Sequence, residues 1–226
     1  MLVGHFAVAL AAKRIEPAIS VGTLVLAAML ADLLWCILMF AGIEHVQLKP
    51  GIGAANYFVA SDIGISHSLL MDGLWSALLT AGYFLMRRNL RAAWVIFGVV
   101  LSHWPLDWIS HRPDMPLSPG LHKYFGLALW SSIPAAIIIE GGFWAVAVIL
   151  YARATRPKRR IGAYLYWTVV AVLTLAWYNN LAGPPPPNPH TIPLSSLLFF
   201  SLAVAWAYWM NRLRPLRTSF SGPPRV

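Results

Sequence analysis

The sequence has very little charge. Asp, Glu, Lys and Arg make up 11% of its 226 residues, whereas hydrophobic residues make up 58%. A soluble domain is typically about 25% charged and about 45–50% apolar, and a soluble chain of this length could not bury so much apolar surface. The composition therefore excludes an ordinary soluble domain and predicts a membrane protein.

Cysteine is almost absent, and acidic residues are few. The single Cys36 lies inside an apolar run, where it cannot form an internal disulfide and gives no information on redox compartment. The 8 acidic residues stand against 17 basic ones, which gives a net charge of +9. Because the basic residues flank the apolar segments, as membrane topology requires, the positive charge does not indicate a nucleic-acid partner.

Long apolar runs dominate the rest of the sequence. Six are long enough to cross a bilayer as helices, which needs about 20 residues: residues 20–42, 66–86, 92–110, 127–151, 163–182 and 192–210. Residues 2–14 are too short to cross, and Lys13 and Arg14 follow their apolar part instead of preceding it as in a signal peptide. The sequence predicts an all-α, polytopic transmembrane bundle of about six spanning helices. A short N-terminal helix packs inside the protein or partly re-enters.

Basic residues are distributed unevenly between the two ends of these helices. Fourteen of the 17 fall at one end, which carries the C-terminus, and only Lys49, Arg112 and Lys123 fall at the other. The positive-inside rule then places the C-terminus in the cytoplasm of a bacterial inner (plasma) membrane protein. We expect residues 1–212 to form the transmembrane domain and residues 213–226 a basic, disordered cytoplasmic tail.

Six side chains that could bind a metal lie in or at the ends of the apolar runs: His5, Asp32, His67, His103, Asp107 and Glu140. Ionisable groups inside a bilayer are unfavourable and usually face a partner or a cavity. The spanning runs contain no Lys or Arg that could offset the acids. Because imidazole and carboxylate together suit zinc, manganese or iron, the sequence predicts a divalent metal site inside the bundle.

The densest group of candidate ligands lies at one end of the third spanning run. His103, Asp107 and His111 follow one another at intervals of four residues, so on a helix they share one face with a drift of about 40° per step. A His and an Asp one turn apart can hold one metal or bridge two. Pro105 stands between them and can kink the helix.

Three further polar residues have predicted supporting roles. Asp72 follows His67 by five residues and does not share its helical face, so we expect it to hold a ligand in place rather than to bind metal. Ser66 and Ser68 flank His67, and we expect the same role for them.

The order of these motifs resembles the YdjM-like family of membrane-bound metal-dependent hydrolases over roughly residues 1–115. The motifs are Gly4-His5, Asp32 after an apolar run, Ser66-His67-Ser68, and Ser102-His103 with Asp107. Residues 62–68 keep only Gly64, His67 and Ser68 of a His-Arg-Gly-x-Thr-His-Ser stretch that the family commonly has.

The ligand order is also similar to that of the soluble zinc-dependent phospholipases C. His103, Asp107 and His111 match a His-x-x-x-Asp-x-x-x-His element of that family, and Glu140 matches a later Glu. Ala136 stands where that family has a further His.

Both resemblances imply a metal-dependent hydrolase. The reaction would be attack by metal-activated water on a phosphoester or other ester bond in a lipid or lipid-like substrate. The site is expected to hold one or two divalent ions, for which zinc is the first choice. The predicted ligands are His5, Asp32, His67, His103, Asp107 and His111. Asp107 and Glu140 are the predicted catalytic residues, with Glu140 as the base. The expected partners are membrane lipid and the substrate, with no nucleic acid.

Two other functions would use the same side chains. Buried acids and histidines also form the pathways of cation or proton transporters, although the sequence has no evident inverted repeat. A structural membrane protein could use a metal only to hold helices together. A transporter predicts transport without turnover, and a structural site predicts loss of the fold when a ligand is removed.

Overall fold

The computed structural model describes residues 1–49, 55, 58–184, 186 and 188–217. Within these residues the chain forms ten α-helices and two short hairpins. The helices are α1 (Leu2–Ile15), α2 (Val21–Ala28), α3 (Leu30–Phe40), α4 (Gly64–His67), α5 (Leu69–Arg87), α6 (Leu90–Leu101), α7 (His103–Ser110), α8 (Ile133–Ala154), α9 (Arg160–Ala182) and α10 (Ile192–Leu213). The antiparallel hairpins are β1 (His45–Leu48) with β2 (Phe58–Asp62), and β3 (Met115–Pro116) with β4 (Tyr124–Phe125).

Five helical segments in the described part of the chain are long and apolar enough to cross a membrane. They are α5, α6 with α7, α8, α9 and α10, and α2 with α3 makes a sixth if this bent pair is one span. Their outer faces carry large exposed apolar side chains such as Ile138, Leu175 and Leu202, as expected of lipid-facing surfaces. The prediction of an all-α bundle with about six spans is confirmed.

Helix α1 lies in the interior of the bundle, and it contacts α2, α6, α7, α8 and α9. Val3, Ala7 and Ala9 are fully buried, because a helix that is apolar nearly all round must pack on every side. At its far end the Lys13 ammonium donates to the carbonyl oxygens of Pro17 and Ile19, at 2.7 Å each. The short N-terminal helix is therefore packed inside the protein, which was one of its two predicted placements.

Two prolines shape the spans in different ways. Pro134 lies inside the predicted run 127–151, but in the structure it is in the first turn of α8, where a missing N–H removes no helical hydrogen bond. Pro105 lies inside the third span, and its ring conflicts with the carbonyl four residues earlier, that of Leu101. Helix α6 ends at Leu101 and α7 begins at His103, so the break falls where this conflict requires it.

The second break lies between α2 and α3, which are bent by 55° at Met29. Carbonyls at a helix end are left without partners inside the helix. The carbonyl of Ala28, the last residue of α2, accepts a hydrogen bond from His103 Nδ1 at 2.8 Å. The bend also starts α3 two residues before Asp32, which places this carboxylate in its first turn.

The basic end of the bundle includes the segment that follows α10. Arg214 Nε donates to Thr155 Oγ1 at 2.7 Å, and the Arg217 N–H donates to the Ala154 carbonyl at 2.9 Å. Residues 214–217 therefore pack on the turn between α8 and α9, although the predicted tail began at 213. Residues 218–226 of that tail lie outside the described residues, and its disorder stays a prediction.

Candidate metal centre

Five of the predicted ligands converge between the helices at the end of the bundle that has few basic residues. His5 comes from α1, Asp32 from α3, His67 from α4, and both His103 and Asp107 from α7. Asp107 is the centre of the cluster. Its Oδ1 lies 3.1 Å from His5 Nε2, and its Oδ2 lies 3.1 Å from His103 Nε2.

These side chains form two overlapping groups that could each hold an ion. The first consists of His5, His103 and Asp107, and the second of Asp32, His67 and His103; in each group the ligand atoms lie within 4.8 Å of one another. Ligand atoms that surround one zinc at about 2.0–2.2 Å lie about 3.3–3.6 Å apart in tetrahedral geometry. The distance of 3.5 Å between His67 Nε2 and Asp32 Oδ1 falls in this range, and the pairs that Asp107 makes with His5 and His103 are slightly closer, at 3.1 Å.

The tautomer of His103 follows from its partner. Because the Ala28 carbonyl can only accept, His103 Nδ1 must be the donor in their 2.8 Å hydrogen bond. In the neutral ring, Nε2 then carries a lone pair. This atom lies 3.1 Å from Asp107 Oδ2 but makes no hydrogen bond. Two acceptors at that distance repel unless a cation lies between them, either a proton on the ring or a metal ion, so the pair is one that could hold a metal.

His67 is oriented in the same way through two residues outside the metal groups. The Ser66 hydroxyl donates to Glu44 Oε2 at 2.6 Å, and its oxygen lies 2.7 Å from His67 Nδ1. Glu44 Oε1 accepts the backbone N–H groups of Ile65 and Ser66, at 2.8 Å each. His67 Nδ1 therefore carries the proton, and its Nε2 presents a lone pair to Asp32.

Glu44 is a site residue that the sequence reasoning missed. It is only 2% exposed, although it precedes β1 in a predicted external loop. The sequence around Glu44 has no helical or strand periodicity, and a single acidic residue in a polar loop is normally expected to be exposed to solvent. Only its tertiary contacts identify it.

Ser68 and Asp72 lie beside the cluster without joining it. The Ser68 hydroxyl accepts the Met71 N–H at 3.3 Å and so caps α5. Asp72 is buried, and its Oδ2 accepts the Trp104 N–H at 3.3 Å. Because Trp104 follows His103 directly, this contact ties α5 to the start of α7. Both positions suit the predicted supporting roles.

Glu140 lies outside both metal groups. Its Oε1 accepts the Val3 N–H at 3.1 Å, and its Oε2 accepts the Trp130 indole N–H at 3.2 Å. The fully buried carboxylate therefore caps the first turn of α1, which carries His5. Its predicted role as base or ligand stays a prediction, but neither group includes it.

His111 is also outside both groups. Helix α7 ends at Ser110, and His111 has extended backbone angles of φ −71° and ψ 152°. His111 is eight residues after His103, but because the helix has already ended it does not lie on the helical face of His103 and Asp107. Its Nδ1 lies 3.1 Å from Asp114 Oδ1, and its ring lines the cavity described next.

A cavity of about 510 Å³ adjoins the cluster. One side is formed by His5, Asp32, His67, Asp107 and His111. Residues of α9, α10 and their connection also line it: Ala176, Asn179, Asn180, Pro184, Pro186, Ile192, Ser195, Ser196, Phe199 and Phe200. The amine of Met1 also lines it, contacts Asp107 and lies 3.2 Å from His5 Nε2. The cluster is therefore open to a molecule in this cavity.

A model of the YdjM inner membrane protein family matches residues 1–182. The matched part ends with α9 and includes every member of the two metal groups, whereas α10 lies beyond it. No curated protein and no solved structure matches the chain.

Proposed function

The chain belongs to the YdjM inner membrane protein family, and from this premise we propose that it is a metal-dependent hydrolase of the inner membrane. Its substrate is a lipid or lipid-like molecule with an ester or phosphoester bond. The apolar spans make it an integral membrane protein, and the cavity beside the metal groups gives a substrate access to them.

One observation carries the metal assignment. In a neutral His103 ring whose Nδ1 donates to the Ala28 carbonyl, Nε2 presents a lone pair to Asp107 Oδ2 at 3.1 Å. A proton or a divalent cation must lie between these two atoms, and a divalent cation would bind both. In the described part of the chain no Lys or Arg side chain forms an ion pair with Asp32 or Asp107, and the cation that pairs with Asp107 is the amine of Met1.

The donor set also limits how many ions can bind. His103 belongs to both groups, but its one free lone pair can bind only one ion. Asp107 has one oxygen near His5 and the other near His103, and a carboxylate can bridge. The side chains could therefore hold one ion together with His103, or two ions that share Asp107 as a ligand, and only one of the two would contact His103.

A bound zinc would polarise the scissile group and acidify its water toward a pKa of about 7. The protein's own side chains must then move one proton from the attacking water to the leaving alcohol. Asp32 is suited to this when a single ion binds the first group, because its side chain lines the cavity and is 17% exposed, against 4% for Asp107.

The cavity size agrees with a small-molecule site. Ligand pockets commonly measure about 300–1,000 Å³ and combine apolar walls with a few polar groups. The cavity of about 510 Å³ combines the polar side chains of the metal groups and of residues such as Asn180 with apolar residues such as Ile192, Phe199 and Phe200. This arrangement suits an amphiphile whose reacting group points at the ions.

The first test measures metal. Detergent-purified wild-type protein should carry one or two divalent ions per chain by elemental analysis. His103→Ala should lose at least one, because both groups include His103. His111→Ala is the matched control and should keep the wild-type content, since it lies outside both groups. Equal metal content in all three proteins would contradict the assignment.

The second test measures turnover. Wild-type protein in liposomes should hydrolyse at least one member of a panel of ester and phosphoester lipids, and Asp107→Asn should not. A cation flux assay on the same liposomes addresses the transporter hypothesis. Flux without hydrolysis would replace the proposed function, whereas hydrolysis without flux would support it.

A further inference from the structure

The part of the cavity lined by α9 and α10 is chemically different from the metal groups. Asn179 and Asn180 end α9, and Ser195 and Ser196 belong to the start of α10. These four residues are named the amide–hydroxyl wall. The two amides and the Ser196 hydroxyl supply neutral donors and acceptors, whereas the Ser195 hydroxyl donates to the Thr191 carbonyl at 2.8 Å and offers only an acceptor. The apolar Ala176, Phe199 and Phe200 line the cavity beside them.

Basic side chains are missing from this cavity. None of the described residues that line it is Lys or Arg, the side chains that usually bind phosphate, Arg often through two hydrogen bonds. Three histidines line the cavity, and each has a partner. His5 and His67 belong to the metal groups, and His111 Nδ1 lies 3.1 Å from Asp114 Oδ1. A single divalent ion would be balanced by Asp32 and Asp107, and the Met1 amine is paired with Asp107. Among the described residues that line the cavity, no cationic side chain is therefore left for a charged headgroup beside α9 and α10.

The apolar part of the cavity adjoins the lipid-facing surface. Ala176 is next to Leu175, which is 68% exposed, and Phe199 is next to Leu198, which is 54% exposed. A hydrocarbon chain from the bilayer can therefore lie along α9 and α10 while its headgroup occupies the cavity. This favours a membrane lipid over a free water-soluble polyol.

We propose that the amphiphile bound here is a lipid with an uncharged, hydroxyl-bearing headgroup, of the acylglycerol or glycolipid kind, which the amide–hydroxyl wall selects. Its hydroxyl groups bond with Asn180 and Ser196, and its ester faces the metal groups. The position of the ester at the metal groups rests on the proposed function, whereas the selection of the headgroup is a statement about binding alone. Of the two selecting residues, Asn180 lies within the family match and Ser196, on α10, lies beyond it.

The test compares two lipids with the same acyl chain, a monoacylglycerol and a lysophosphatidic acid, by native mass spectrometry of the detergent-purified protein. Wild type should bind the monoacylglycerol about tenfold more tightly, as two hydrogen bonds of ordinary strength allow. Free glycerol should not compete at the same concentration. Asn180→Leu combined with Ser196→Ala should abolish the preference, and Ser201→Ala on an exposed turn of α10 should retain it.

The outcomes separate this inference from the proposed function. His103→Ala should keep the lipid preference while losing metal and turnover, so absence of hydrolysis does not decide headgroup selection. Equal or tighter binding of lysophosphatidic acid by both wild type and His103→Ala would overturn the inference. Competition by free glycerol would identify a soluble polyol instead of a lipid and would also overturn it.

Discussion

At the scale of single residues, the site depends on where protons are held on its imidazole rings. His103 Nδ1 donates to a backbone carbonyl, and Ser66 and Glu44 fix the ring of His67. Each arrangement leaves Nε2 free for the cluster. Partners that orient metal-binding histidines commonly change metal affinity when they are removed. The hydrogen bonds that orient His67 and His103 should therefore matter for metal binding as well as the two rings themselves.

Glu44→Gln tests this arrangement. The amide can keep only part of the three hydrogen bonds that Glu44 accepts, so the Ser66 hydroxyl loses its fixed direction. Metal affinity should fall about 10–100-fold in a competition titration with a chelator. Glu16→Gln is the control, because Glu16 is also buried but pairs with Arg91 at the basic end. Equal affinities in the two variants would contradict the orienting role.

Glu140→Gln distinguishes a base from a cap. The substitution keeps the shape of the side chain but leaves one acceptor where two are used, by Val3 and Trp130. These contacts lead us to expect a stability loss of about 1–3 kcal/mol, seen as a lower melting temperature. A variant with wild-type melting temperature and metal content but no turnover would instead support the predicted base.

At the scale of elements, two interrupted helices build the site. The break at Met29 exposes the Ala28 carbonyl to His103, and the break at Ser102 sets the direction of α7, which carries His103 and Asp107. Continuous helices would satisfy their own backbones and turn these side chains elsewhere. Interruptions inside spans are tolerated where neighbouring groups satisfy the backbone, and here the His103 ring does so.

Pro105→Ala should straighten the third span. Without the ring, the Leu101 carbonyl no longer conflicts with residue 105 and α6 can continue into α7. We expect unchanged or higher thermal stability together with at least about tenfold weaker metal binding. Pro134→Ala is the matched control, because a proline in the first turn of α8 replaces no helical hydrogen bond. Wild-type affinity in Pro105→Ala would show that the break does not position the ligands.

At the scale of the whole molecule, the metal groups and the cavity lie toward the end of the bundle with few basic residues. The basic end contains the Lys13 contacts and the packing of Arg214 on Thr155. The distribution of basic residues predicts that the basic end is cytoplasmic. The cavity then faces the outer leaflet, and substrate and water reach it from outside.

Labelling tests this orientation. A reporter fused after Arg217 should read as cytoplasmic, and a cysteine introduced at Asn188 should react with an impermeant maleimide from outside. The native Cys36 is buried, so the labelling of the wild-type protein measures the background reaction. A cysteine at Lys158, at the opposite end, should stay unlabelled in intact cells. The reverse pattern would place the cavity in the inner leaflet.

The sequence by itself determined the class of fold. Apolar runs near 20 residues long can satisfy their backbone groups in a membrane only as helices, so the spans follow from composition and length. Asp32, His67, His103 and Asp107 were also visible as candidate ligands, because polar groups in such runs need partners. These are local properties, which need no knowledge of which helices are neighbours.

Only the tertiary structure decided which candidates meet. His111 shares a spacing with Asp107 but leaves the helical face where α7 ends, and Glu140 is buried at the start of α1 instead of beside the ligands. Glu44 joins through a loop that returns to α4. Such contacts depend on helix ends and on packing between segments far apart in the chain, and neither leaves a periodic signal in the sequence.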